Sequence, residues 1–177
     1  MGVTPRLGLE AVQGQSRNLA FRMQHQVHSN WCWAAVATSV SQFYNRKSKW
    51  TQCTVAKGKL GRKSCCGKHV NGKCNKIGHL QHSLRVVGHA EDPPYVEGAI
   101  PFSIAKREID AGRPVGVRTR WRGGEVGHFI AIVGYHSDLE MLTIEDPTYG
   151  KTHVHYRVFR RDYRGSGKWT HSYYTKG

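Results

Sequence analysis

Hydrophobic positions in the first part of the chain recur at helical spacing. Between Trp31 and Tyr44 four apolar residues recur at spacings of four, four and three, which places them on one helix face: Cys32, Val36, Val40 and Phe43. Asn30 stands directly before this segment and is predicted to be its N-cap. Further helices are predicted at Gln52–Lys59, at Ile77–Val87 before Gly88, and at Phe102–Ala111 before Gly112.

After Gly112 the pattern changes to the apolar runs and alternation that are typical of β-strands. Strands are predicted at Val115–Thr119, His128–Tyr135, Met141–Glu145, Thr152–Phe159 and Trp169–Tyr174. Pro93-Pro94 predicts a linker or turn, and residues 1 to about 22 show no regular pattern. Because the helices precede the strands instead of alternating with them, the predicted fold class is α+β.

Length and composition favour one domain with its own hydrophobic core. The chain has 177 residues, of which 38% are hydrophobic and 22% charged, a balance that excludes disordered, collagen-like and membrane-embedded proteins. We expect an irregular N-terminal segment at 1–25 and a domain at 26–177, with a helical half at 26–98 and a mainly β half at 99–177. The first 30 residues lack the apolar core of a signal peptide, so an export signal is absent, already removed or of another kind.

The net charge of +15 is concentrated in the helical half. Between Ala11 and Ala90 there are 13 Lys or Arg residues and no Asp or Glu, and the segment from Arg46 to Lys76 is the densest part. Such a segment is a solvated surface, a site for an acidic protein partner or substrate, or a nucleic-acid site. Nucleic acid is the least favoured of the three, because no nucleic-acid-binding motif or zinc-finger spacing is present.

Cys32 lies at the start of the first predicted helix. A thiol at this position faces unpaired backbone N–H groups and the positive end of the helix dipole, and both favour the nucleophilic thiolate. The alternative is a small, buried core residue. A nucleophilic cysteine also needs a base and a group that orients the base.

A histidine and an aspartate in the β half fit these two roles. His128 opens one apolar strand and Asp146 closes the next. In a hairpin centred on Ser137, His128 and Asp146 would lie directly opposite each other on neighbouring strands, unless a bulge changes the register. The alternatives are a core histidine and an ordinary aspartate at the end of a strand.

Acyl-transfer chemistry further needs hydrogen-bond donors for an oxyanion. The backbone N–H of Cys32 is one candidate, and the side-chain amide of Gln26, six residues upstream, is a second. Gln24 competes for this role, and either glutamine is otherwise a polar loop residue.

These residues resemble a known family. The segment Gln26–Ala35, which contains Cys32-Trp33-Ala34-Ala35, is similar to the active-site segment of papain-like cysteine proteases. The whole set is most similar to the small bacterial papain-like proteases that include the avirulence effectors of plant pathogens. The other matching pieces are Gly112–Val115, Gly127–Phe129, Gly134-Tyr135 and Asp146-Pro147.

The resemblance implies a papain-like fold, with the cysteine on the helical half and an antiparallel sheet or half-barrel in the second half. It implies peptide-bond hydrolysis by Cys32 as nucleophile and His128 as general base and then acid, with Asp146 orienting the imidazole and Gln26 in the oxyanion hole. Asp146 stands where papain has Asn, as is usual in the effector-like relatives. The resemblance implies no cofactor or metal, and a protein or peptide substrate.

Three functions remain open from the sequence. The first is a monomeric cysteine endopeptidase that is secreted by a bacterium or delivered into a target cell as an effector or toxin. The second uses the same site for deamidation or transglutamination. The third is a basic binding module without enzymatic activity.

The other four cysteines form an even set, leaving Cys32 as the odd one. Because a bridge between Cys65 and Cys66 would strain the backbone, pairings that use Cys53 and Cys74 are favoured, and two disulfides would staple a polar segment. The alternatives are a zinc site that recruits His69 or His79 and a set of reduced thiols.

Overall fold

A computed structural model describes residues 14–63, 65–67 and 72–177. The helices in these residues are α1 (Cys32–Tyr44), α2 (Gln52–Leu60), α3 (Leu80–Val86), α4 (Phe102–Asp110) and α5 (Tyr156–Asp162). The strands are β1 (Ser16–Asn18), β2 (Ala90–Glu97), β3 (Val115–Trp121), β4 (Gly127–His136), β5 (Met141–Asp146), β6 (Gly150–His155) and β7 (Gly167–Thr175). The predicted α+β class is confirmed.

The strands of the described chain form one antiparallel sheet in the order β2-β7-β3-β4-β5-β6, and β1 pairs with the end of β4 that extends beyond β3. Alternate residues of β4 face two hydrophobic clusters. Phe129, Ala131 and Val133 pack in the cluster that contains α1, whereas Ile130 and Ile132 pack in the cluster that contains α4 and α5. The sheet therefore lies between the helices, and β4 is its central strand.

Helix α1 is a buried helix because its sequence carries no charged residue. The ten residues from Cys32 to Ser41 are all buried, and several of them are alanines that allow close packing. The predicted N-cap is wrong. Trp31 precedes the helix, and the Asn30 side chain instead donates to the Asn75 carbonyl oxygen at 3.1 Å.

Four other local predictions differ from the structure. Helix α3 begins at Leu80 instead of at Ile77 and is therefore shorter than predicted. Pro93-Pro94 lies within β2 and not in a turn, since β2 is an edge strand, where a missing N–H is tolerated. Ser16–Asn18 forms β1, in a stretch expected to be irregular. The strand predicted at Thr152–Phe159 ends at His155, where the chain enters α5.

Four cysteines form two disulfides, Cys53–Cys66 and Cys65–Cys74, as the preferred interpretation of the sequence predicted. A zinc site would need these sulfurs as thiolates, and within the described residues no group of three or more potential metal ligands comes together. His69, one of the two histidines considered for such a site, lies outside the described residues. No helix in the described chain has the length and apolar character needed to cross a membrane.

Candidate active site

Cys32 is the first residue of α1. Its thiol is free and the residue is only 7% exposed. The first turn of α1 contains no acidic residue, so the positive end of the helix dipole is not offset locally. In this turn the backbone N–H groups of Ala34 and Ala35 donate to the Trp31 carbonyl oxygen at 3.0 and 2.9 Å, whereas those of Cys32 and Trp33 have no partner within the helix and point toward its N-terminal end. The thiol therefore lies where an anion is favoured.

The disulfide-bonded segment holds the loop that leads into this helix. Trp31 Nε1 donates to the Cys74 carbonyl oxygen at 2.9 Å, and Trp33 Nε1 donates to that of Lys76 at 3.0 Å. The backbone N–H of Asn30 donates to Asn75 Oδ1 at 3.0 Å. Residues on both sides of Cys32 are thus fixed to a segment that the Cys65–Cys74 disulfide constrains.

His128 and Asp146 come together, although not in the predicted register. The β4–β5 connection spans residues 137–140 and so is not centred on Ser137, and a bulge in β4 shifts the pairing back by one residue, so that Ala131 pairs with Glu145. The prediction that His128 lies directly opposite Asp146 is therefore wrong. The two side chains meet diagonally, and His128 Nε2 donates to Asp146 Oδ1 at 2.8 Å.

Asp146 accepts hydrogen bonds on both carboxylate oxygens and is buried. Oδ1 accepts from His128 and from the backbone N–H groups of Thr148, at 2.7 Å, and Tyr149, at 3.0 Å. Oδ2 accepts from the Tyr163 hydroxyl at 2.9 Å. Burial alone would raise the pKa of Asp146, but the hydrogen bonds and charge of its partners lower it, so the carboxylate is ionised.

Burial alone would lower the pKa of the His128 imidazole. Hydrogen bonds to Asp146 and Cys32, and the charges of both groups, raise it instead to about 9. Because Nε2 is taken by Asp146, the interaction with Cys32 falls to Nδ1. His128 is therefore protonated at neutral pH between an ionised carboxylate and the sulfur.

Aromatic side chains enclose the histidine–aspartate pair. The Trp121 ring stacks on His128 with 6.0 Å between centroids and lies 6.5 Å from the Tyr163 ring. Tyr149 packs edge-on against His128 at 6.2 Å, and the Arg164 guanidinium lies 3.8 Å above the Tyr149 ring. The sequence analysis did not predict that Trp121, Tyr149 and Tyr163 lie at this site. For Tyr149 alone, its position three residues after Asp146 indicated that it could lie near the aspartate.

Gln26 lies beside the turn that follows Asp146. Its backbone N–H donates to the Pro147 carbonyl oxygen at 2.9 Å, and its Oε1 accepts from the Thr148 hydroxyl at 3.0 Å. Its Nε2 donates to the carbonyl oxygens of His28 and Ser29, at 3.1 and 2.9 Å. The side chain therefore joins the loop before Cys32 to the turn after Asp146.

Gln24, the competing candidate, is bound elsewhere. Its Nε2 donates to Gln42 Oε1 at 3.0 Å, and its Oε1 accepts from Gln52 Nε2 at 3.1 Å. These partners belong to α1 and α2, so the structure brings Gln26, and not Gln24, to the turn that contains Asp146.

Two solved structures of similar fold are a peptidase domain and a cysteine protease. The peptidase domain of Streptococcus ComA, a bi-functional ABC transporter involved in quorum sensing, is 15% identical, with a TM-score of 0.54 over 89% of this chain and 99% of that domain. Xylellain, a cysteine protease from Xylella fastidiosa, is 10% identical, with a TM-score of 0.54 over 91% of this chain and 85% of xylellain. These similarities confirm the expected papain-like fold.

The sequence itself identifies the family. No curated protein matches the chain. Residues 18–176 match the Peptidase_C39 like family. The match includes Cys32, His128 and Asp146. The chain therefore belongs to the Peptidase_C39 like family and is a papain-like cysteine protease.

Proposed function

We propose that this protease is an endopeptidase that acts through Cys32, His128 and Asp146, with Gln26 at the oxyanion site. One observation carries the proposal: a buried, protonated imidazole lies between an ionised carboxylate and a free thiol at a helix N-terminus. A thiolate beside an imidazolium is the nucleophile–acid pair that thiol proteases need.

The first half of the reaction cleaves the peptide bond. The Cys32 thiolate attacks the scissile carbonyl carbon, and the carbonyl electron pair moves onto oxygen. When the tetrahedral intermediate collapses, the C–N bond breaks and protonated His128 gives its Nδ1 proton to the leaving amine. The products are a thioester on Cys32, a neutral imidazole and a free amine.

The second half hydrolyses the thioester. Neutral His128 takes a proton from water, the hydroxide adds to the thioester carbonyl, and the C–S bond breaks to release the acid and restore the thiolate–imidazolium pair. Asp146 accepts from Nε2 throughout, so it keeps Nδ1 directed at the sulfur and stabilises the imidazolium.

The oxyanion of both tetrahedral intermediates would be bound by the backbone N–H of Cys32 and by Gln26 Nε2. In the free enzyme Gln26 Nε2 donates to the His28 and Ser29 carbonyl oxygens. We propose that one of these bonds is exchanged for the oxyanion when substrate binds, while the Oε1 bond to Thr148 holds the amide in place.

The substrate is a protein or peptide, and the natural setting is an oxidising compartment. Two disulfides in a small chain are typical of such compartments, which supports secretion, or delivery as an effector or toxin, as further proposals. The effector-like subgroup, the catalytic domain at 26–177, the monomeric state and the acidic substrate preference expected from the charge stay predictions.

The test is cleavage of a tryptic peptide library from a whole proteome, read by mass spectrometry. We expect new peptide ends with the wild type and with His25→Ala, which removes an exposed imidazole, but none with Cys32→Ala or His128→Ala. Circular dichroism would verify that each variant is folded. A mass gain of about 1 dalton at glutamine without chain cleavage would replace hydrolysis by deamidation, and equal cleavage by Cys32→Ala would refute the proposal.

A further inference from the structure

A basic cavity opens beside the indole ring that covers His128. It has a volume of ≈ 630 Å³ and lies between the β3–β4 loop, the end of α5 and the start of β7. Among the described residues that line it, four are cationic and one, Glu125, is acidic. The cations are Arg120, Arg122, Arg161 and Lys168.

Two of these cations face each other directly across neighbouring strands. Arg120 of β3 and Lys168 of β7 are Cα partners and both are exposed. Like charges at opposed positions destabilise a sheet. No ion pair to an acid relieves them within residues 14–63, 65–67 and 72–177, whereas the neighbouring Arg122 pairs with Asp162 at 3.2 Å. A bound anion would offset the repulsion between Arg120 and Lys168. Two unrelieved cations beside a cavity are therefore expected at an anion-binding site.

The loop that forms one wall of this cavity is held in place. The Arg118 guanidinium donates to the Glu125 carbonyl oxygen at 3.0 Å and to the Thr170 hydroxyl at 3.0 Å. A Cβ on Gly127 would overlap the same guanidinium, so the loop closes tightly onto Arg118. The cavity is therefore part of the folded structure.

The position of the cavity relative to His128 decides which part of a substrate reaches it. In the proposed mechanism His128 protonates the leaving amine, so the first residues of the leaving segment lie beside the imidazole. Trp121 stacks on His128 and also lines the cavity, so a single ring separates the two. The leaving segment thus passes the cavity within its first few residues.

We propose that this cavity is a subsite for a carboxylate on the C-terminal side of the scissile bond, bound by Arg120 and Lys168. The inference rests on the proposed function and specifies its substrate class. Two sources supply the same chemistry: an Asp or Glu side chain in the leaving segment, or the free C-terminal carboxylate of a short leaving peptide.

The experiment uses the same peptide library at low and high ionic strength. We expect Asp and Glu to be enriched about fivefold downstream of the wild-type cleavage sites at low salt, with the enrichment falling as salt rises. Arg120→Gln/Lys168→Gln should lose the enrichment and still cleave neutral sites. The control, Lys47→Gln/Lys49→Gln, removes two exposed cations from the loop after α1 and should retain the enrichment.

Synthetic versions of one cleaved peptide separate the two carboxylate sources. If amidation of the C-terminus abolishes the preference, the terminal carboxylate is bound; if replacement of Asp by Asn abolishes it, the side chain is bound. Cleavage by the wild type with enrichment neither of Asp or Glu nor of sites a few residues before the peptide C-terminus, or the same enrichment in the Arg120/Lys168 double variant, would refute the subsite alone. Absence of any cleavage by the wild type would refute both the proposed function and the subsite.

Discussion

The substitution Asp146→Asn tests the electrostatic basis of the site. Asparagine has nearly the same shape, and its Oδ1 still accepts from His128 and from the Thr148 and Tyr149 N–H groups. The amide can donate to the Tyr163 oxygen in place of accepting from it. The variant therefore retains the geometry around His128 and removes the negative charge.

The magnitude follows from the His128 pKa. That pKa rises from 6.5 to about 9 in the folded protein, which corresponds to roughly 3 kcal/mol of preference for the imidazolium. Because the folded pKa exceeds the unfolded one, this stabilisation is fully present below pH 6.5 and is lost as the pH rises through about 9. Removing a charge in direct contact should lower the pKa by about one unit or more.

The assay is NMR titration of the imidazole C–H signals, with His128 assigned by its loss in His128→Gln. We expect the wild-type signal to titrate near pH 9 and the Asp146→Asn signal at least about one unit lower. In urea unfolding at pH 6, Asp146→Asn should have a lower free energy of unfolding than the wild type. The difference should be smaller at pH 9.5, where the wild-type imidazole is mostly neutral. A wild-type pKa near 6.5, or the same pKa in both proteins, would show that the Asp146 charge does not raise the pKa of His128.

Two further predictions concern the residues that support the site. Tyr163→Phe leaves Asp146 Oδ2 without its hydrogen-bond donor. The free energy of unfolding, measured in urea, should therefore fall by about 1–3 kcal/mol, and kcat/KM should fall with it. Unchanged values of both would contradict this prediction. Gly78→Ala places a Cβ against the Trp33 indole and should cost about 1–3 kcal/mol, whereas Gly72→Ala, in open space, should cost little; equal losses would contradict the packing argument.

The parts of the site that were predictable from the sequence depend on local patterns. The helical spacing after Trp31 placed Cys32 at a helix N-terminus, and the apolar run after Gly127 placed His128 at the start of a strand. Both assignments need only a few neighbouring residues. The order of Cys, His and Asp along the chain then supported the family resemblance.

The hairpin register was not predictable, because it depends on a bulge in β4 and on the length of the connection that follows. The end of β6 was missed for a related reason. Val154, Tyr156 and Val158 alternate as in a strand, but Tyr156 and Phe159 are buried at helical spacing and the His155 side chain caps α5. Tertiary packing decided between two patterns that the local sequence allowed.

The aromatic residues around His128 were out of reach for another reason. Trp121 and Tyr163 come from β3 and from the residue that follows α5, and only the folded sheet brings them to the histidine–aspartate pair. Neither residue lies in a motif of its own. The same holds for Asn75, whose contact with Asn30 depends on the fold of the disulfide-bonded segment.

The most direct test of the central claim is covalent labelling with an epoxide inhibitor of thiol proteases, followed by peptide mapping in a mass spectrometer. The four other cysteines are in disulfides, so a reaction confined to Cys32 gives one equivalent of adduct per chain. We predict a single adduct on Cys32 in the wild type, and labelling slowed by about a hundredfold or more in His128→Ala. Failure to label Cys32, or equal labelling rates in both proteins, would show that Cys32 is not a nucleophile activated by His128.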